Sequence, residues 1–296
     1  MTAKMDWKKP VENIRDQLKY YVTQNGLKSL VLGVSGGIDS ALVAALAAPV
    51  CREVGIPLIG RSLPHTSNKS DETRRADDVL KFFCTDYDVC GINTRFELVL
   101  HDLEAGYSQK EDDKFNKIAL GNIKARIRMI HLYDLAYRTR GMVLSTDNYT
   151  EYMVGFWTIH GDSCDYGLIQ NLWKTEVYDL SKWLCAHDTF ELNYGPIMDC
   201  IEAVPTDGLG ITNSDLEQLG TSTYAEVDKI LKTWLTKDID SFYWDDFLSY
   251  PDRPKNYEEF KVYRDYLKDH PVVQRHIKTG FKRKIPINLE RIQIFK

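Results

Sequence analysis

An apolar strand that ends in a glycine-rich turn most constrains how this chain can fold. The strand-like run 30–34 is followed by Ser-Gly-Gly-Ile-Asp-Ser and then by an alanine-rich segment. A strand, a tight turn and a helix in immediate succession are typical of a βαβ unit, in which a helix joins two parallel strands. In a parallel sheet, ligands bind at the carboxyl ends of the strands. The run therefore predicts a parallel sheet with a binding loop after its first strand.

The same alternation of strand and helix continues along the chain. Further strand-like runs lie at 56–60, 87–92 and 141–145, and helical patterns occupy 8–24, 40–48, 71–83, 113–139 and 174–187. This order predicts an α/β fold with a parallel sheet and helices on both faces. The chain after residue 205 is mostly helical and polar, with an aromatic and acidic insertion near 233–256. We expect residues 1–296 to form a single domain.

The composition excludes several classes of protein. The net charge is -5, which argues against general nucleic-acid binding. No apolar run is long enough to span a membrane, and the basic N-terminus lacks the apolar segment of a signal peptide. The six cysteines contain no Cys-x-x-Cys pair, so we expect free thiols in a reducing cytoplasm.

The turn after the first strand has the chemistry of a phosphate-binding loop. Gly36 and Gly37 allow the backbone to turn tightly and to bring N–H groups close to an anion. The helix that follows presents its positive end to the same place. Asp39 is expected to hold a magnesium ion beside the phosphates. The alternative is an ordinary glycine turn in which Asp39 or Ser40 only caps the helix.

The SGGIDS string resembles the pyrophosphatase loop of the N-type ATP pyrophosphatases. The resemblance implies a Rossmann-like adenine nucleotide α-hydrolase fold and an enzyme that uses ATP to activate an oxygen as an adenylate. Within that group, three later stretches resemble the NAD synthetases: IALGNIKARIRMIHLYDLA at 118–136, LSTDNYTEYMVGFWTIHGDSCD at 144–165 and IQNLWKTEVYDLSKWL at 169–184. The implied substrates are ATP, deamido-NAD and ammonia, with Mg²⁺ as the metal and a homodimer as the assembly.

The resemblance also implies roles for individual residues. Asp162 and Lys174 are the implied catalytic residues, with Asp162 receiving the ammonia, and Asp39 and Glu151 are the implied magnesium ligands. The implied ATP-binding residues are Gly33, Ser35, Gly36, Gly37, Asp39, Ser40, Thr146, Lys174 and Thr206. The implied deamido-NAD-binding residues are Arg126, Asp165 and Lys282.

Simpler interpretations exist for several of these residues. Asn148 and Glu151 have the spacing of a helix capping box, which on spacing alone is the favoured interpretation. Apart from the resemblance, a surface arginine whose stem packs on the helix is the favoured interpretation of Arg126, and a solvated basic tail is that of Lys282. Lys174 stands at the start of a helix, where a cation opposes the helix dipole, so we expect it to have another partner.

Two alternative functions remain open at this point. One is another N-type ATP pyrophosphatase, an amidotransferase or thiolase with a purine or tRNA acceptor. The other is a non-catalytic paralogue that only binds a nucleotide. Ile159 and Phe281 stand where the resembling family usually has lysine and histidine, and both positions lie on the dinucleotide side. No glutaminase domain is recognisable, so the sequence predicts the use of free ammonia.

Overall fold

A five-stranded parallel sheet forms the centre of the computed structural model, which describes residues 5–103, 114–187, 195–205, 214–236 and 257–284. The strands lie in the order β3-β2-β1-β4-β5. Their bounds are β1 Leu30–Gly33, β2 Leu58–Ser62, β3 Asp86–Val89, β4 Met142–Ser145 and β5 Tyr166–Gly167. All four pairings are parallel, which confirms the α/β fold predicted from the sequence.

Helices connect and cover these strands. Those before β4 are α1 Lys8–Gln24, α2 Ile38–Val54, α3 Ser70–Phe83, α4 Asn93–Leu103 and α5 Lys114–Arg138. Those after β4 are α6 Tyr149–Val154, α7 Lys174–His187, α8 Gly195–Glu202, α9 Asp215–Leu219, α10 Tyr224–Leu235, α11 Tyr257–Leu267 and α12 Pro271–Lys278. A 3-10 helix, Gly280–Lys284, ends the described chain. Within the described residues, no helix is both long and apolar enough to cross a bilayer.

Three apolar clusters hold the layers together. One face of the sheet packs on α1, α2, α3, α7 and α8, through a cluster that includes Leu42 and Leu180. The opposite face packs on α4 and α5, through Ile92 and Ile127. A third cluster joins α6 to the C-terminal helices, with Val227 in α10 fully buried. Both faces of the sheet are therefore covered, as a parallel sheet requires.

Several elements differ from the expectation. Helix α2 was expected to end at residue 48, but it continues through Pro49 to Val54. Residues 38, 40–51 of this helix are buried, and packing on all sides outweighs the hydrogen bond that proline cannot donate. Strand β5 is only two residues long and α8 only eight, so neither has enough length to show a period. Residues 237–256 of the predicted insertion lie outside the described residues.

Candidate active site

A cavity of about 420 Å³ opens at the carboxyl ends of β1 and β4. These two strands lie where the strand order reverses, since the chain runs outward from β1 to β2 and β3 on one side and to β4 and β5 on the other. Such a switch point leaves a crevice in which α/β proteins bind ligands. The loop 35–40 forms one wall, and the segment 155–162 with Lys282 forms another.

Hydrogen bonds within the loop 35–40 hold its backbone in a tight turn. Gly36 has a φ of +84°, a conformation that favours glycine. The Gly37 N–H donates to Ser35 Oγ over 3.2 Å, and Ser40 Oγ donates to the Gly37 carbonyl over 3.0 Å. Helix α2 begins at Ile38, and no side chain caps its N-terminus. The interpretation of Asp39 or Ser40 as a simple helix cap therefore does not hold.

A buried lysine joins the two carboxylates that the family resemblance assigns to magnesium. Lys174 is only 3% exposed. Its Nζ donates to Asp39 Oδ2 and, over 2.9 Å, to Glu151 Oε1. Burial alone would lower the pKa of Lys174, but the charges of Asp39 and Glu151 outweigh burial and raise it well above the ordinary value. Lys174 is thus a fixed positive charge at the edge of the loop. Asp39 and Glu151 are the partners that we expected for a lysine at the start of a helix.

The two carboxylate oxygens of Glu151 face different partners. Glu151 can therefore complete the helix cap and still offer an oxygen to a metal ion, the two roles proposed from the sequence. Its backbone N–H donates to Asn148 Oδ1 over 3.0 Å, and its Oε2 accepts the Asn148 N–H over 3.4 Å, which together make the capping box. Its Oε1 is left for Lys174. Asn148 Nδ2 also donates to Asp39 Oδ1 over 2.9 Å, so the cap residue orients both carboxylates.

The oxygens of Asp39 and Glu151 fit a magnesium ion. Mg²⁺ in nucleotide sites is held by one or two carboxylates together with phosphate oxygens and water. Burial and the charge of Asp39, opposed by Lys174, raise the pKa of Glu151 to about 8. Two carboxylates this close favour a cation between them, and Lys174 is that cation in the structure.

A second pair of carboxyl groups lies in the cavity beyond β4. Burial, followed by the charges of Asp162 and Asp39, raises the pKa of Asp147 to about 7. Burial also raises the pKa of Asp162, although its Oδ2 accepts the Thr158 N–H over 2.6 Å. Because the charge of Asp162 helps to raise the pKa of Asp147, a proton or a small cation near the two groups is favoured at neutral pH.

Replacement of Asp147 by asparagine is expected to stabilise the protein more at alkaline pH than at acidic pH. A carboxyl group whose pKa is raised on folding is protonated in the folded chain below that pKa, and it destabilises the fold progressively as the pH rises from its unfolded pKa to its folded pKa. For Asp147 this window runs from its unfolded value to about 7. We expect the gain in unfolding free energy to be about 2 kcal/mol larger at about pH 8.5 than at about pH 5. Urea denaturation at both pH values measures it, and an equal gain at both would contradict the raised pKa.

The three residues with an implied role in deamido-NAD binding lie in different settings. Lys282 lines the cavity and donates to the carbonyls of Gly155, over 2.8 Å, and Trp157. Burial lowers the pKa of Lys282. Arg126 is exposed, and its guanidinium lies 3.3 Å from the carbonyl of Ile159.

Asp165, the third of these residues, forms hydrogen bonds at the edge of the sheet. Its carboxylate accepts the Tyr133 hydroxyl over 3.0 Å and the Val143 N–H over 3.0 Å. Its own N–H donates to the Val143 carbonyl. Asp165 is absent from the described residues that line the cavity. In this structure it anchors the chain between β4 and β5.

The chain matches the model of the family described as NAD synthase, over residues 10–242. The chain belongs to the NAD synthase family. The NH3-dependent NAD+ synthetase of Campylobacter jejuni is 33% identical over 235 residues, which cover 79% of this chain and 86% of that relative. A relative of the same name from Thermococcus kodakarensis is 33% identical over 237 residues, which cover 79% of this chain and 83% of that relative.

Solved structures of this family have the same fold. The NH3-dependent NAD synthetase of Campylobacter jejuni, in complex with nitrate, superposes with a TM-score of 0.63 at 27% identity, covering 97% of this chain and 100% of its own. An NMN synthetase from Francisella tularensis superposes with a TM-score of 0.70 at 23% identity, covering 97% of this chain and 99% of its own, which is evidence for the fold alone. The Rossmann-like fold of the NAD synthase family is therefore that of this chain.

The remaining implied ATP-binding residues are also located. Gly33 and Thr146 line the cavity at the ends of β1 and β4, whereas Thr206 lies outside the described residues. The sequence did not assign Arg75, Arg128 or Asp147 to the site, nor did it show that the cap residue Asn148 also supports it through Asp39. Asp147 and Asn148 directly follow Thr146 in the chain, so the string after β4 contained them. Arg75 and Arg128 reach the site only through tertiary contacts.

Proposed function

We propose that this member of the NAD synthase family is an ammonia-dependent NAD synthetase. It would adenylate the nicotinate carboxylate of deamido-NAD with ATP and then replace AMP by ammonia. The observation that carries the proposal is the cluster of Asp39, Glu151 and Lys174 beside the loop 35–40. Curated relatives named NH3-dependent NAD+ synthetase, of which this chain covers 86% and 83%, support ammonia as the nitrogen donor.

The loop and the cluster suit the first step. The nicotinate carboxylate attacks the α-phosphorus of ATP, forming the acyl adenylate and releasing pyrophosphate. Both reactants are anions, so positive charge must be present where they meet. Magnesium bound by Asp39 and Glu151 would supply charge to the phosphates. Lys174, held beside the loop by Asp39 and Glu151, would place its ammonium on the departing pyrophosphate.

The second pair of carboxyl groups suits the second step. Ammonia is mostly ammonium at neutral pH, so the site must bind the cation and remove its proton. Asp162 lies in the cavity with a raised pKa, which favours acceptance of a proton. Ammonia then attacks the acyl carbon, and AMP leaves. Asp147 would take part because the charge of Asp162 helps to raise its pKa.

A second compound is a candidate for the substrate whose carboxylate is adenylated. Ile159 and Phe281 replace the lysine and histidine usual in the resembling family, and Phe281 is 54% exposed. Nicotinate mononucleotide presents the same carboxylate without the adenylate half that such residues would contact. It therefore belongs in the same assay as deamido-NAD, and its use would leave the adenylation chemistry unchanged.

The assembly and location are also part of the proposal. A homodimer would cover apolar side chains on the long helix α5, where Ile130 is 63% and Tyr137 87% exposed. Met153 and Phe156, by contrast, pack partly buried against the C-terminal cluster. A cytoplasmic location agrees with six free cysteines.

Incubation with Mg²⁺, ATP, ammonium and deamido-NAD is expected to give NAD, AMP and pyrophosphate in equal amounts. Chromatography of the nucleotides and an enzymatic pyrophosphate assay measure the three products. Glutamine in ammonia-free buffer should replace ammonium poorly. Formation of ADP, or no product with either acceptor, would overturn the adenylation mechanism. A higher kcat/KM with nicotinate mononucleotide would instead move the assignment to that acceptor.

A further inference from the structure

A buried arginine outside the sequence motifs holds the backbone of the loop 35–40. Arg75 lies on α3 and is 8% exposed. Its Nε donates to the Gly36 carbonyl over 3.0 Å, and its Nη1 donates to Asp71 Oδ2 over 2.7 Å. We infer that Arg75 is a positioning residue that fixes the peptide between Gly36 and Gly37 in the orientation that binds the phosphates of ATP. This inference rests on the proposed function.

The argument begins with the geometry of one peptide. A trans peptide is planar, so its C=O and N–H point in opposite directions. The carbonyl of Gly36 is directed to α3, where it meets Arg75. The N–H of Gly37 is directed to the opposite side, into the turn, where it donates to Ser35 Oγ over 3.2 Å. Holding the carbonyl therefore also determines where the N–H points.

Two successive glycines make this orientation costly to keep without an anchor. Glycine has the largest backbone freedom of any residue, so the peptide between Gly36 and Gly37 is the one in the loop that turns over most readily. A turned peptide would direct the carbonyl, with its partial negative charge, at the bound phosphates. A charged donor such as Arg75 forms a stronger hydrogen bond than a neutral one and opposes that rotation. Cys200 Sγ, 3.5 Å from the same carbonyl, adds a weaker contact from α8.

Close packing keeps the loop within reach of Arg75. A Cβ atom at Gly36 would lie 2.1 Å from the backbone carbonyl of Glu72, so the loop and α3 are in direct backbone contact. The ion pair with Asp71, one turn earlier on the same helix, fixes the plane of the guanidinium. Arg75 is therefore an oriented donor, and it also lines the cavity.

The test separates binding of the phosphates from binding of the nucleoside. Calorimetry of the full chain is carried out with Mg²⁺-pyrophosphate and, separately, with adenosine. In Arg75→Gln, the pyrophosphate dissociation constant is expected to rise about ten- to hundredfold, the range of a lost charged hydrogen bond. Adenosine affinity and the melting temperature should change little. In the steady state, kcat/KM for ATP should fall while the KM for ammonium stays the same.

Arg74 provides a matched control on the same helix. Its guanidinium pairs with Asp78 over 2.9 Å and with Asp199 over 3.1 Å, and its side chain is 57% exposed. Arg74→Gln removes the same charge and an ion pair of the same spacing without touching the loop. It should leave pyrophosphate affinity at the wild-type value. An equal loss in both variants would overturn the inference, because it would show an effect of helix charge only.

A second variant tests the same inference if Arg75→Gln does not fold. Asp71→Asn leaves the charge of Arg75 in place and removes the carboxylate that orients it. We expect pyrophosphate to bind about threefold more weakly, as for a weakened hydrogen bond. Wild-type affinity in Asp71→Asn and in any folded Arg75 variant would overturn the inference. Wild-type protein that binds neither pyrophosphate nor ATP would instead overturn the proposed function, and the inference with it.

Discussion

Replacement of Lys174 by methionine is expected to abolish AMP formation and to destabilise the protein. The change removes the only positive charge that Asp39 and Glu151 share among the described residues, and it leaves two partly buried carboxylates facing each other. Loss of one partner from a buried ion pair costs about 3–5 kcal/mol. In the proposed reaction the phosphates would also lose a cation in the transition state, so we expect turnover to fall at least about a hundredfold. Urea denaturation and the initial rate of AMP release measure the two effects.

The pH dependence and a neighbouring lysine make this prediction specific. Burial and the charge of Asp39 raise the pKa of Glu151 to about 8, and loss of Lys174 would raise it further, so the loss of stability should be smaller at about pH 6 than at about pH 9. Lys182, exposed on the same helix, is the control. Lys182→Met should leave the rate unchanged, and it should change the unfolding free energy by no more than about 0.5 kcal/mol. A Lys174→Met protein with wild-type turnover would remove Lys174 from the mechanism.

Replacement of Glu151 by glutamine is expected to abolish turnover while the fold keeps its stability. Glutamine completes a capping box as well as glutamate does, so the cap with Asn148 should survive. It lacks the negative charge that pairs with Lys174 and that, in the proposed function, would bind magnesium. We expect AMP formation to fall at least about a hundredfold and the Mg²⁺ concentration needed for half-maximal rate to rise about tenfold. Rates across a magnesium titration, with melting temperatures on the same samples, check both.

Glu176 is the matched control for this change. It also lies in the first turn of a helix, and its Oε2 accepts the Trp173 N–H over 2.8 Å, but it is absent from the described residues that line the cavity. Glu176→Gln should keep full turnover. If Glu151→Gln kept its activity and lost about 1 kcal/mol of stability, Glu151 would be a helix cap only.

The sequence by itself determined the parts of this protein that depend on neighbours along the chain. The loop 35–40 was predictable because two glycines, a following helix and an apolar strand act within ten residues. The helices at 8–24 and 174–187 are confirmed at α1 and α7, since each has enough length to show its period. The capping box at Asn148 and Glu151 was predictable for the same reason.

Only the tertiary structure decided which of these groups meet. Lys174 and Asp39 are 135 residues apart in the chain, and no local pattern reports a contact at that distance. The same holds for Arg75, 39 residues from the carbonyl it binds, and for Asp165, whose spacing could not show that its carboxylate anchors β4. The physical reason is that local patterns fix backbone conformation, whereas burial, charge pairing and the raised pKa of Asp147 arise from side chains that the packed sheet and helices bring together.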